Sequence, residues 1–142
     1  PKTVANFLSY VDDGSYNNSL FHRVIPGFVA QAGGYTAGFD PLPTHSPVEN
    51  ESSNGLSNRR GTLAMARMSD PNSATRQFYF NLNDNLSLDA NVQPGYTVFG
   101  TVVSGMEVLE KIADAPTSVD PKLRASDVPN NPIVISKVTR LD

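Results

Sequence analysis

The sequence contains no cysteine and no tryptophan among its 142 residues, and its only histidines are His22 and His45. The lack of cysteine excludes disulfide bonds, thiolate zinc sites and cysteine nucleophiles, and two histidines are too few for a histidine-rich metal site. No apolar run approaches the roughly 18 to 20 residues that cross a bilayer. A net charge of −3 gives no overall positive field to attract nucleic acid. We therefore expect no metal or other cofactor, and binding to neither nucleic acid nor membrane.

Eleven prolines and ten glycines lie between short apolar runs, and this spacing predicts a β-rich domain with many turns. Strands are predicted over 20–25, 27–32, 61–66, 77–81, 97–103 and 133–141. The segments 33–58 and 115–132 are polar and rich in proline, which predicts loops. Long loops inside a compact domain are often functional or carry their own tight packing.

Two segments have helical patterns. At the start of the chain, apolar residues recur at i, i+3, i+4 and i+7, and Asp12-Asp13-Gly14 ends the pattern; these residues are Val4, Phe7, Leu8 and Val11. The second helix is predicted from a capping box of Ser104 and Glu107, and Pro116 stops it. Together the elements predict one mainly β domain over residues 1–142, an antiparallel barrel capped by two α-helices.

Strand alternation assigns faces to the polar residues of two strands. It places Arg23 on one face with Phe21 and Ile25, and His22 on the other. An isolated arginine in this position is most often one whose stem covers apolar surface while its head stays in water, and His22 is expected to be a satisfied, partly buried histidine rather than a general base. In the strand 77–81, Gln77 and Tyr79 share a face that is more typical of a pocket wall than of a packed core.

Three long motifs carry a family resemblance: FHRVIPGFVAQAGG (21–34), RGTLAMARMSDPNSATRQFYF (60–80) and GYTVFGTVVSGMEVLEKI (95–112). In this order, over nearly the whole chain, they resemble the cyclophilin-type peptidyl-prolyl cis-trans isomerases. The late segment 115–135 is most similar to exported bacterial members, which implies the periplasm, with the cytoplasm as the alternative. The family fold is an eight-stranded barrel whose first two strands precede the first helix here. We therefore expect the domain to be N-terminally incomplete, by roughly 25 to 30 residues.

The resemblance also implies an activity and a site. The family accelerates rotation about the Xaa-Pro peptide bond, a barrier of about 18 to 20 kcal/mol, during protein folding. Arg23 matches the family's catalytic arginine, and Gln31 matches a residue that orients it and binds substrate backbone. Matches to the proline pocket are Phe28, Val29, Tyr79 and Leu88; matches to the groove for the preceding residues are Ala66, Arg67 and Gln77; further binding positions are Ser87 and Tyr96. The implied partners are proline-containing peptides and unfolded proteins, bound by a monomer.

Several of these positions depart from the best-known family members, which have Phe at Tyr79, Trp at Ser87, His at Tyr96, Asn at Arg67 and Met at Val29. The hydroxyl of Tyr79 costs free energy in an apolar pocket unless it finds a partner. Ser87 has neither a ring nor an indole donor, so we expect weak binding of cyclosporin. The alternative function is a proline-peptide-binding chaperone or assembly module with weak turnover, since the departures at Tyr79 and Ser87 are compatible with weaker binding of the proline ring.

Overall fold

The computed structural model describes residues 2–90, 94–123 and 125–141. Its elements follow one another in the order α1 (Lys2–Asp12), β1 (Ser19–Ile25), β2 (Val29–Thr36), β3 (Thr62–Met65), β4 (Phe78–Asn81), a short 3-10 helix (Leu86–Leu88), β5 (Val98–Thr101), α2 (Met106–Ala113), β6 (Thr117–Asp120), β7 (Ala125–Pro129) and β8 (Val134–Ile135). Six strands form an antiparallel sheet in the order β5-β3-β4-β2-β1-β8, and β6 pairs with β7 in a separate ribbon. The predicted mainly β fold with two helices is confirmed. No helix within the described ranges has the length and apolar character needed to cross a bilayer.

Helix α1 forms where the apolar spacing predicts it, although Pro1 lies outside the described residues. Its buried side is formed by Thr3, Phe7, Tyr10 and Val11, whereas Val4 is 40% exposed. The ring of Phe7 lies edge-on to Phe78 at 5.3 Å between centroids, so the helix packs directly on strand β4. At the other end, the carboxylate of Glu51 accepts the backbone N–H groups of Lys2 and Thr3, which satisfies two of the unpaired donors of the helix N-terminus.

Three local predictions were wrong. Helix α2 starts after Gly105, which has φ of 98° and makes no side-chain cap, so the capping box of Ser104 and Glu107 does not form. The segment 115–132 is not all loop, because it contains the β6–β7 ribbon. The strand predicted over 133–141 pairs only at Val134–Ile135.

The long segment 37–60 is irregular but firmly attached to the rest of the chain. Val48 bridges Ala74, and Tyr35 bridges Pro41. The exposed His45 stacks on Tyr10, with ring centroids 4.0 Å apart, and its Nε2 lies 3.0 Å from an Asp13 carboxylate oxygen. This segment is therefore attached to helix α1 and the turn after it, to the end of β2 and to the segment before β4.

Candidate active site

A groove of about 220 Å³ lies on one face of the sheet. Cross-strand pairing builds it, since residues directly opposite each other on neighbouring strands share a face. Arg23 on β1 is opposite Gln31 on β2, and Gln31 is opposite Tyr79 on β4. The structure brings together nine residues as its lining: Arg23, Phe28, Val29, Gln31, Ala66, Arg67, Tyr79, Leu88 and Tyr96.

A β-bulge at His22 turns Arg23 toward this groove. Phe21 pairs with Ala32 and Arg23 pairs with Gln31, so β1 advances two residues while β2 advances one. As a result, Phe21 and Val24 both lie in the core cluster, and Arg23 faces the groove without them. The prediction that Arg23 shares a face with Phe21 was therefore wrong, because strict alternation cannot anticipate an extra residue in the ladder.

The bulged His22 is buried, as predicted, but it is not fully satisfied. Its Nδ1 has no hydrogen-bond partner among the described residues, and its ring meets Tyr35 edge-on at 4.9 Å. Burial, with a smaller effect from the charge of Arg23, lowers the pKa of His22 to about 4. His22 is therefore neutral at pH 7 and lies outside the groove lining.

Two glutamines hold the guanidinium of Arg23 from one side. Its Nη1 donates to Gln31 Oε1 at 3.3 Å, and Gln31 Nε2 donates to Gln77 Oε1 at 2.8 Å. Gln77 is itself held against Gly34, where a Cβ would lie only 2.5 to 2.7 Å from three atoms of the glutamine side chain. Gln77 lies outside the main groove and lines an adjoining pocket of about 260 Å³ together with Gln31, Ala66 and Arg67.

The apolar wall opposite Arg23 is a small cluster separate from the main core. Val29 and Tyr79 are buried in it, and Phe28, Leu88 and Tyr96 pack against them. The rings of Tyr79 and Tyr96 meet edge-on at 6.1 Å. The Tyr79 hydroxyl donates to Asn58 Oδ1 at 2.7 Å, so the partner that this hydroxyl requires is present. Burial raises the pKa of Tyr79 far above its ordinary value, which keeps the phenol neutral.

These features match a known family. Residues 1–140 fit the family model described as cyclophilin type peptidyl-prolyl cis-trans isomerase/CLD. The chain belongs to the cyclophilins. A peptidyl-prolyl cis-trans isomerase of Acinetobacter baylyi is 48% identical over 139 residues, which are 97% of this chain and 73% of that relative. Peptidyl-prolyl cis-trans isomerase B of Escherichia coli is 46% identical over 143 residues, covering 98% and 86% of the two chains.

A solved cyclophilin has the same fold. The crystal structure of a Cryptosporidium parvum cyclophilin type peptidyl-prolyl cis-trans isomerase in the presence of the dipeptide Ala-Pro aligns with a TM-score of 0.78 at 28% identity. The alignment covers 100% of this chain and 87% of that one. The predicted family, fold and isomerase class are thus confirmed.

In this cyclophilin, Arg67 forms a fixed wall of the groove. Its guanidinium carbon lies 4.6 Å from the centre of the Tyr96 ring, and its nitrogens donate to the carbonyl oxygens of Met68, Pro94 and Gly95. A guanidinium stacked on an aromatic face and bonded to several carbonyls is well ordered. Arg67 therefore fastens the Tyr96 segment across the groove.

Ser87 is the one predicted site residue that the structure does not bring to the groove or to the adjoining pocket. It is exposed within the short 3-10 helix, while its neighbour Leu88 faces the groove.

The buried polar residues beneath the groove were not anticipated from sequence. Asn58 ends the segment 33–58 that was predicted as a loop; it is completely buried, whereas Arg59 and Arg60 beside it are exposed. Asn81, at the end of the predicted strand 77–81, and Asn85, which follows it, are also buried. A usable signal was the buried tyrosine of β4, because its hydroxyl requires an acceptor close by. Within 2–90, 94–123 and 125–141, no three His, Cys, Asp or Glu side chains are grouped to hold a metal ion.

Proposed function

We propose that this cyclophilin isomerises Xaa-Pro bonds with Arg23 as its electrostatic catalyst and with the apolar wall as the grip on the proline ring. The observation that carries this mechanism is the pairing of a half-buried guanidinium with an apolar pocket across one groove. Arg23 has a hydrogen bond of 3.3 Å to Gln31. A guanidinium has five N–H donors, so further donors remain for a substrate.

The chemistry requires no covalent intermediate. When the Xaa-Pro amide twists, its resonance is lost and the prolyl nitrogen regains a lone pair, which accepts a hydrogen bond from Arg23. A charge-assisted hydrogen bond contributes about 1.5 to 3 kcal/mol. An acceleration of about 10⁵-fold needs about 7 kcal/mol. The remainder then comes from the fixed position of the proline ring and from exclusion of water by Phe28, Val29 and Tyr79.

The proposed ligands are proline-containing segments of peptides and unfolded proteins. The Cryptosporidium parvum relative studied in the presence of Ala-Pro supports this class of ligand. The adjoining pocket beside Gln77 is proposed to take a residue that precedes the proline. Since Ser87 is exposed and offers no ring to the groove, we propose that cyclosporin binds weakly, and titration calorimetry with the unaltered protein tests this.

NMR exchange on a short Xaa-Pro peptide tests the catalytic role of Arg23. We expect Arg23→Ala to slow catalysed exchange about 10- to 150-fold, the equivalent of 1.5 to 3 kcal/mol, with a small change in peptide affinity. Arg60→Ala is the matched control, because it removes the same charge from a surface ion pair with Glu110. If the unaltered protein and Arg23→Ala bind the peptide but exchange it equally slowly, the groove is a binding module and the proposed mechanism is wrong.

A further inference from the structure

A buried asparagine, Asn58, lies beneath the proposed proline pocket and is hydrogen-bonded to its wall. Asn58 is completely buried and does not line the groove, yet its Oδ1 is the acceptor for the Tyr79 hydroxyl at 2.7 Å. The same oxygen accepts a hydrogen bond from Asn81 Nδ2 at 3.0 Å. The ring of Tyr79 is therefore fixed at its far end as well as by packing.

The other polar atoms of Asn58 also make hydrogen bonds. Its Nδ2 donates to Asp89 Oδ1 at 2.9 Å and to the Tyr96 carbonyl at 3.3 Å. Its backbone N–H donates to the same Asp89 oxygen at 2.6 Å, and its carbonyl accepts the Asn85 N–H at 2.7 Å. Because one end of the amide meets only donors and the other only acceptors, the side chain has a single satisfied orientation.

This network reaches each segment of the apolar wall. Asn85 Nδ2 donates to the Phe28 carbonyl at 2.9 Å and to Asn81 Oδ1 at 2.9 Å. The Leu88 N–H donates to the Asn85 carbonyl, and the Tyr96 N–H donates to the Leu88 carbonyl. The segments that carry Phe28, Tyr79, Leu88 and Tyr96 are thus tied to one another through Asn58 and Asn85.

We infer that Asn58 is a positioning residue for the proline pocket, and that it acts on substrate binding through the hydroxyl of Tyr79. The inference rests on the proposed function of the groove. Arg23 and Gln31 belong to a different hydrogen-bonded chain, which runs to Gln77. Loss of Asn58 therefore loosens the grip on the proline ring and leaves the donor to the prolyl nitrogen in place, so that KM changes more than kcat.

A double-mutant cycle separates this role from a purely structural one. We expect Asn58→Ala to raise KM for an Xaa-Pro peptide about tenfold, with kcat changed less than threefold, because the buried Tyr79 hydroxyl then has no acceptor and the ring moves. In a Tyr79→Phe background, the same substitution should raise KM no more than about threefold, since phenylalanine requires no acceptor. Asn83→Ala is the control; it removes an exposed asparagine from the segment between β4 and the short 3-10 helix and should leave both constants unchanged.

If Asn58→Ala does not fold, Asp89→Asn provides a milder cycle, because it keeps the size and an acceptor oxygen while removing the charge that orients the Asn58 amide. It should raise KM two- to fourfold with Tyr79 present and have no effect in the Tyr79→Phe background. Equal changes in KM in both backgrounds, or lower stability with unchanged KM, would overturn the inference. If the unaltered protein exchanges the peptide and Arg23→Ala slows it, such a result leaves the proposed function standing. Absence of exchange by the unaltered protein contradicts the proposed function instead.

Discussion

Two arginines on opposite sides of the sheet have very different surroundings. Arg76 is 1% exposed, and its three nitrogens donate to the carbonyl oxygens of Gly33 at 2.5 Å, Pro43 at 2.8 Å and Ser15 at 2.6 Å. Its guanidinium carbon also lies 4.9 Å and 5.3 Å from the ring centres of Tyr10 and Tyr16. Arg23 is half-buried beside an open groove and makes one long hydrogen bond to Gln31.

This difference in surroundings indicates different roles for Arg76 and Arg23. A buried cation whose three nitrogens each donate to a fixed carbonyl holds chain segments together, because its loss leaves several polar groups without partners. Arg76 joins the turn after α1, strand β2 and the long segment 37–60. A guanidinium beside an open groove has a different role, because its further N–H donors are available to bind a substrate.

Removal of the Arg76 guanidinium should give the largest change in stability. We expect Arg76→Met to lower the free energy of unfolding by about 3 to 5 kcal/mol, because the carbonyls of Gly33, Pro43 and Ser15 lose their donor and the three segments are no longer joined. Urea denaturation measures this. In the protein that remains folded, the catalysed exchange rate should change less than threefold, since Arg76 does not line the groove.

The matched control is Arg60→Met, which disrupts only an exposed ion pair and should cost less than about 1 kcal/mol. A loss of activity in folded Arg76→Met as large as that of Arg23→Ala would mean that the two arginines are not separate in function.

A smaller effect is expected from Gly34→Ala, which tests how the groove arginine is held. The new Cβ would lie within 2.5 to 2.7 Å of the Gln77 side chain, so Gln77 must move and its hydrogen bond to Gln31 breaks. We expect kcat to fall about five- to tenfold, because Arg23 loses its orientation, while KM changes less. Gly38→Ala is the control, since its nearest atoms lie 3.6 Å away. Unchanged kcat in Gly34→Ala would show that the two glutamines do not orient Arg23.

The smallest effect is on stability and concerns Glu51, which lies in the long segment 37–60 that Arg76 also contacts. Although burial opposes ionisation, hydrogen bonds from the N-terminus of α1 lower the pKa of Glu51 from 4.5 to about 2. A carboxyl with a lowered folded-state pKa contributes stability that is complete above pH 4.5 and is lost as the pH falls toward 2. Glu51→Gln should therefore cost about 0.5 to 1 kcal/mol at neutral pH and flatten this part of the acid profile. Parallel unfolding curves for both proteins between pH 5 and pH 2 would contradict this assignment.

Local patterns predicted much of the fold. Helix α1 and the strands β1 to β5 form where they were predicted because each has a clear apolar period bounded by turn residues. Strand β2, however, continues to Thr36, inside the segment 33–58 that was predicted as a loop. The β6–β7 ribbon was missed because its strands are short and half-exposed, so tertiary contacts rather than periodicity define them.

The site was predicted from the family motifs. The fold brings most of the matching residues to one groove. Gln77 lines the adjoining pocket, and Ser87 lies outside both. The roles of these residues remain predictions. Asn58 and Arg76 were not recognised because a buried polar residue and an exposed one have the same signature in a single sequence. Only the arrangement of carbonyls and hydroxyls around each side chain distinguishes them.

The bulge at His22 lets β1 carry one residue more than its pairing with β2 requires. Deleting His22 would make Phe21 and Arg23 direct neighbours while each kept its partner on β2, so ordinary alternation would still place the guanidinium of Arg23 on the groove face. Regular pairing without a deletion would instead carry that guanidinium to the core face with Phe21. In a redesign of this domain, the pairings of Phe21 with Ala32 and of Arg23 with Gln31 must therefore be held fixed, whether or not a residue lies between them.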